Sequence, residues 1–213
     1  MSEPKDWTKE EIEKEYIGEM TAVTVPVEIH LKGRQQILDF AQMTKILREA
    51  KLISLGECGC RKRVKECDAP IEVCLGLDKK AEGEIKRGSA KEVSLKGALE
   101  ALKRSHDAGL VHIAYTFKED ETPGYVCSCC SCCCHSMSGL VRFGIPEAVV
   151  ASDYVATNNS DTCINCGKCV ERCQFRARKL ENDRLAFNRA RCFGCGVCTS
   201  TCPTNSISLV KRH

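Results

Sequence analysis

Cysteine recurs at 163, 166, 169 and 173 and again at 192, 195, 198 and 202, so one run maps onto the next by a shift of 29 residues. This repeat leaves a chain little freedom. The spacing C-x2-C-x2-C-x3-C wraps three thiolates around one face of an iron–sulfur cubane and sends the fourth to a second cubane. By that rule Cys163, Cys166, Cys169 and Cys202 hold one [4Fe-4S] cluster, and Cys192, Cys195, Cys198 and Cys173 hold another. Gly167 and Gly196 follow the second cysteine of each run, where a tight turn needs a residue tolerant of positive φ. Zinc sites pair C-x2-C units of two ligands each, and disulfides need no such repeat, so both explain the pattern less well.

From Tyr154 to Arg212 the chain resembles the bacterial two-cluster ferredoxins, down to Pro203 after the last cysteine. The resemblance implies a small two-[4Fe-4S] domain. One position departs from it: Gln174 stands where that family has proline after the fourth cysteine of the first run.

The chain has 213 residues and 18 cysteines, a density otherwise expected of secreted disulfide scaffolds. Its first residues, MSEPKDWTKEEIEKEY, are charged and lack the apolar stretch of a signal peptide. No apolar run reaches the length of a membrane span. A cytoplasmic, metal-binding chain is therefore expected, and so many thiolate clusters suggest an anaerobe. A formal net charge of +3 is too small to argue for nucleic acid or a membrane surface.

Ahead of the repeat the pattern is α+β. Thr8 and Glu11 form a capping box for a short helix ending near Gly18. Residues 23–31 alternate apolar and polar, a half-buried strand with Pro26 favouring an edge. Residues 34–50 read as an amphipathic helix carrying Ile37, Phe40, Ala41, Leu47 and Ala50 on one side. Leu52 to Leu55 is a short strand, and residues 78–93 are short helix and loop. Ser94 caps a helix over 95–108 that stops at Gly109. Residues 110–117 alternate as a second strand, followed by a polar turn. His30 and His112 fall on the strands' second faces and read as structural. The layout suggests a small α+β unit like a winged helix, from pattern alone and without implying DNA binding. Serine, asparagine and aspartate at 157–161 mark a loop, so the expected organisation is a cysteine-rich α+β domain over 1–153 and a two-cluster ferredoxin-like domain over 154–213.

The N-terminal part holds ten further cysteines: Cys58, Cys60, Cys67 and Cys74, then Cys127, Cys129, Cys130, Cys132, Cys133 and Cys134. The combination resembles a group of iron–sulfur proteins with a C-x-C-R start, a Cys-Asp-Ala-Pro segment and a Cys-x-Cys-Cys-x-Cys-Cys-Cys run ahead of a ferredoxin domain; it implies architecture rather than an activity. Ten thiols exceed one cubane. In extended chain neighbours point to opposite sides, so Cys129 with Cys130, or Cys132, Cys133 and Cys134 together, are poor joint ligands for one cluster. The reading is at least one additional iron–sulfur centre, as two clusters or one larger centre; a structural zinc site and simple burial are the alternatives. His135 reads as a neighbour rather than a ligand.

Lys168, Arg172, Arg176, Arg178, Lys179, Arg184, Arg189 and Arg191 make the second half basic, opposed only by Asp161, Glu171, Glu181 and Asp183. Such charge raises a cluster's potential and steers a redox partner with an acidic docking face. Arg61, Lys62, Arg63 and Lys65 beside Cys60 are placed to stabilise thiolates or bind an anion. Neither G-x-G-x-x-G nor G-x4-G-K-[ST] occurs. The expectation is an electron carrier between a partner oxidoreductase and the N-terminal centre. A reductase with its catalytic centre in the N-terminal domain and a redox sensor are the alternatives, and no catalytic residue is assigned.

Overall fold

In the computed structural model the backbone is described for residues 5–25, 28–32, 35–39 and 41–212, and side chains for 5–25 and 43–212. The molecule is α+β. Its centre is a six-stranded antiparallel sheet in the order β1 (Met20–Thr24), β7 (Val111–Phe117), β8 (Tyr125–Cys129), β5 (Glu72–Leu77), β4 (Ile53–Glu57) and β6 (Ala90–Glu92). Strand alternation gives the sheet two distinct faces. One carries Leu55, Leu75, Ala114 and Val126, which pack with Leu47 of α2 (Ala41–Glu49) and Ala98, Ala101 and Leu102 of α5 (Leu95–Asp107). The other carries Val111, Ile113 and Tyr115 of β7. Opposite them in register stand Cys129, Cys127 and Tyr125 of β8.

Local signals fix many element ends. Thr8 Oγ1 accepts from Glu11 N at the start of α1 (Lys9–Glu15), the expected capping box. Ser94 accepts from Gly97 N, and Gly109 takes φ +81° past the end of α5. Residues 79–86 form α4 (Lys79–Lys86) ahead of β6.

Three expectations are corrected. The helix expected over 34–50 begins only at Ala41. Before it, β3 (Gln35–Asp39) pairs antiparallel with β2 (Glu28–Lys32), and hairpin pairing overrides the weak helical pattern. The single strand expected over 23–31 is divided between β1 and β2. Pro26 and the side chains of His30, Ile37, Phe40 and Ala41 lie outside the described residues. The winged-helix likeness does not hold, because the sheet is six strands wide and has helices packed on both faces.

The second sheet face is covered by α6 (His135–Val141) and the C-terminal segment, and the start of α3 (Gly59–Val64) borders a cavity on that face. In that segment α7 (Lys168–Glu171) and α8 (Val197–Thr201) each follow a glycine at positive φ, Gly167 at +75° and Gly196 at +79°, as the turn argument requires. The loop expected at 157–161 starts later, since β9 (Tyr154–Asn158) is a strand paired with β12 (Ile207–Lys211). A hairpin of β10 (Arg178–Glu181) and β11 (Arg184–Phe187) separates the two cysteine runs. Phe175 stacks on Phe193 at 4.5 Å between ring centres, and both join Val111, Ile113 and Met137 in one core.

Candidate iron–sulfur and thiol sites

None of the 18 cysteines is in a disulfide, and their side chains gather in four places. In the C-terminal segment, Cys163, Cys166, Cys169 and Cys202 line one small concavity. Cys173, Cys192, Cys195 and Cys198 line a second. Each concavity thus takes three cysteines from one run and its fourth from the other. Backbone donors point at several of these sulfurs: Ala156 N at Cys192 (3.4 Å), Ala177 N at Cys173 (3.3 Å) and Ser206 N at Cys202 (3.2 Å). Such N–H···S bonds favour the thiolate, the ligand form. Gly194 tolerates no side chain, as a Cβ there would stand 2.2 Å from Tyr154 O.

The ten N-terminal cysteines divide into four and six. The sulfurs of Cys67, Cys130, Cys132 and Cys133 all lie within 4.8 Å of one another. The expectation that consecutive cysteines separate holds for Cys129 and Cys130 but is corrected for Cys132 and Cys133. Residues 131–133 form a turn rather than extended chain, and a turn lets neighbours converge.

Cys58, Cys60, Cys74, Cys127, Cys129 and Cys134 line a cavity of about 410 Å³ together with Tyr115, Glu84 and His135. The sheet explains half of this set. Cys74, Cys127 and Cys129 lie on strands, on the face opposite Leu75 and Val126. Cys58 caps α3 and Cys60 lies in its first turn, and Cys134 precedes α6. Side-chain interactions run in order from Cys127 to Cys74, Cys58, Cys60, Cys134 and Cys129. Hydrogen bonds from Cys60 and Cys74 pull the Cys58 thiol down to about 3, aided by the Arg61 cation. Hydrogen bonds from Cys129 and Cys60 hold Cys134 well below the usual range, while the donors Cys60, Cys74 and Cys129 are pushed up. The arc is built to carry negative charge. The Tyr115 hydroxyl stands 3.6 Å from Cys129 Sγ and 3.5 Å from Cys134 Sγ. His135 stacks on Tyr16 at 3.9 Å, bonds Ser136 through Nδ1 and shares the lining of this cavity.

A family model described as a 4Fe-4S dicluster domain matches residues 156–209. Those residues are a ferredoxin-type iron–sulfur domain. Among curated proteins, "Probable oxidoreductase YjgC" of Bacillus subtilis (strain 168) is 24% identical over 166 residues, 65% of this chain and 16% of that protein. The "Archaeal-type glutamate synthase (NADPH)" of Dehalococcoides mccartyi is 29% identical over 63 residues, 29% of this chain and 13% of that protein. The matched part is thus under a fifth of either relative's length.

The ferredoxin-type domain passes a chemical test for its clusters. Arg178 is only 3% exposed, and its two terminal nitrogens have no hydrogen-bond partner among the described residues. Its charge acts on both Cys169 and Cys198, one from each concavity; burial drives Cys198 up to about 12 against that pull. A buried guanidinium set over the Phe187 ring, with Cys169 and Cys198 as its polar neighbours, is costly without negative charge beside it and fits anionic clusters on either side. Arg61 plays the same part among the N-terminal thiols. It is 2% exposed and donates to Pro70 O and Ser128 O, with Cys58, Cys129 and Cys130 around it. Burial works against its charge, and the thiols outweigh that. Lys62 and Arg63 do not face the thiols, since they pair with Glu57 (2.6 Å) and Glu11 (2.7 Å).

Some participants were not legible in the chain. Sequence reasoning placed Arg178 among the basic residues that raise a cluster's potential, without showing that it is buried between two thiol sets, and placed Tyr115 in a plain apolar alternation. Gln174 did carry a signal, its departure from proline. Gln174 Oε1 accepts from both Ser131 N and Ser131 Oγ at 2.9 Å, and Gln174 Nε2 donates to Gly109 O at 3.2 Å. Ser131 lies between Cys130 and Cys132, so one side chain ties Cys173 of the ferredoxin-type domain to the N-terminal cysteine turn.

Proposed function

We propose that the chain is an iron–sulfur electron carrier whose two C-terminal [4Fe-4S] clusters exchange single electrons with a further iron–sulfur centre held by the N-terminal cysteines. Cys163, Cys166, Cys169 and Cys202 would hold one cubane, and Cys192, Cys195, Cys198 and Cys173 the other. When bound, such clusters supply one-electron redox chemistry at potentials set by charge, hydrogen bonds and solvent access. The chain's own part is to seat the thiolates, to exclude water around Cys195 and Cys198, and to set the field through Arg61 and Arg178. The carrying observation is the Gln174 bridge, which links Cys173 to the turn of Cys130–Cys133 through one covalent neighbour and one hydrogen bond.

The partner is proposed to be an oxidoreductase presenting an acidic face, in line with the likeness to a probable oxidoreductase and a glutamate synthase. Lys168, Arg176, Lys179, Arg184, Arg189 and Arg191 are exposed and available for docking. The test is rapid-mixing reduction of the full chain and of Gln174→Leu. The variant should reduce its ferredoxin-type clusters at the normal rate and its N-terminal centre at least tenfold more slowly. Equal rates for both centres in both proteins would remove the bridge from the path.

One observation favours a second reading, a reductase. The six-cysteine cavity of about 410 Å³ is larger than its ligands need and carries the Tyr115 hydroxyl and the His135 ring, with the Glu84 side chain also in its lining. A new spectroscopic signal on adding cyanide or carbon monoxide to reduced protein, lost in Cys58→Ser, supports that reading; indifference to both ligands supports the carrier alone.

A further inference from the structure

We infer that Cys67, Cys130, Cys132 and Cys133 hold a single tetrahedral metal ion, zinc or iron, and not a cubane. The distances carry the assignment. Cys67 Sγ lies 3.8 Å from Cys130 Sγ and 3.8 Å from Cys133 Sγ. Four thiolates bound tetrahedrally to one ion at about 2.3 Å stand about 3.8 Å apart along each edge of the tetrahedron. In a cubane each thiolate binds a different iron, so the iron–iron spacing is added and the sulfurs stand much farther apart. Among the described residues this is the one group of three or more candidate ligands whose donor atoms all lie within 4.8 Å. The ferredoxin-type cysteines, spaced for cubanes, are not so gathered.

The surroundings suit a thiolate-bound ion. The Ala69 N–H points at Cys67 and the Glu66 N–H at Cys133. Two sulfurs are buried and two half-buried. Trp7 Nε1 donates to Cys133 O at 2.8 Å and Arg61 stands against Cys130, so the turn is fixed from both sides. An all-thiolate tetrahedral set selects zinc or iron over harder cations. The ion would staple the loop after α3 to the turn after β8. It would thereby position Cys129 and Cys134, which flank that turn and belong to the six-cysteine cavity. The assignment rests on the four sulfurs and stands whether or not electrons reach this half of the chain.

The test uses the full chain purified anaerobically. Metal analysis and acid-labile sulfide should give about one zinc or iron ion per chain beyond the iron that sulfide accounts for. A zinc ion should give X-ray absorption with four sulfur neighbours at about 2.3 Å and no metal neighbour. An iron ion should give the Mössbauer signature of a mononuclear tetrathiolate site. Cys67→Ser should lose that one ion and keep its sulfide. Wild-type protein with no ion in excess of sulfide would overturn the inference without recourse to a variant. So would loss of iron and sulfide together, in cluster proportion, from Cys67→Ser. Either result leaves the Gln174 electron path to be judged by its own rate measurement.

Discussion

At the scale of single residues, two buried arginines stand out because each lies between two thiol sets. Arg178 acts on Cys169 and Cys198, Arg61 on Cys58 and Cys130. Positive charge near a cluster favours its reduced, more negative state. Arg178→Met is therefore expected to lower the potentials of both ferredoxin-type clusters, by on the order of 60 mV each, the equivalent of about 1.4 kcal/mol for one electron. Exposed Arg184→Met should move neither, since water screens its charge. Spectroelectrochemical titration of the three proteins decides this; equal potentials in Arg178→Met and wild type would mean that the guanidinium is neutralised elsewhere. Cys173→Ser separates the two cluster assignments in the same way. It should damage the cluster of Cys192, Cys195 and Cys198 and spare that of Cys163, Cys166 and Cys169. Magnetic spectra with the opposite pattern would reject the crossed ligation.

At the scale of elements, helix α5 and strand β7 bury two histidines against each other, His106 and His112, with ring centres 6.1 Å apart. Burial holds His106 down to about 4, with Asp107 opposing and Arg172 and Lys103 adding to the effect. Burial likewise holds His112 down to about 3, with His106 adding. Both are neutral when folded and titrate near 6.5 when unfolded, so the unfolded chain binds more protons below that pH. Stability is intact well above pH 6.5 and falls as pH drops toward 4, by about 1.6 kcal/mol per histidine between pH 6.5 and 5. Thermal unfolding followed from pH 7.5 to 5 should steepen accordingly, and His112→Asn should flatten the profile. A variant profile parallel to wild type would show that other groups dominate. These two elements were also the most legible in the sequence, because Ser94, Gly109 and the alternation from Val111 to Phe117 are local signals. The strand over 35–39 was not, since its partner strand decides it. The division of the cysteines was half legible. Alternation separates Cys129 from Cys130, but the turn that brings Cys132 beside Cys133 depends on what surrounds it.

At the scale of the molecule, the two halves share a core rather than a tether. Arg172 donates to His106 O and Asp107 O, His106 bonds Ser200, and Thr24 donates to Phe193 O at 2.7 Å. Phe175, Phe193 and Val197 of the ferredoxin-type domain pack on Val111 and Ile113 of the central sheet. Cutting the chain to 154–213 would expose these side chains, so the fragment should melt well below the full chain even if it keeps about eight irons, as two cubanes require. The full chain should hold more than eight. On the proposed reading, the excess iron that comes with sulfide belongs to the six-cysteine arc, the thiol set left once the ferredoxin-type clusters and the compact four-cysteine site are supplied. Cys58→Ser and Cys127→Ser, at separate positions along that arc, should each remove iron and sulfide together and bring the sulfide content down toward about eight per chain. Both should leave the ferredoxin-type spectra intact, since Cys58 and Cys127 line neither of those concavities. If wild type and both variants contain the same iron and sulfide, the arc holds no cluster. Its six thiols are then a hydrogen-bonded lining that holds no iron, and the path through Gln174 ends at the four-cysteine site where that site holds iron.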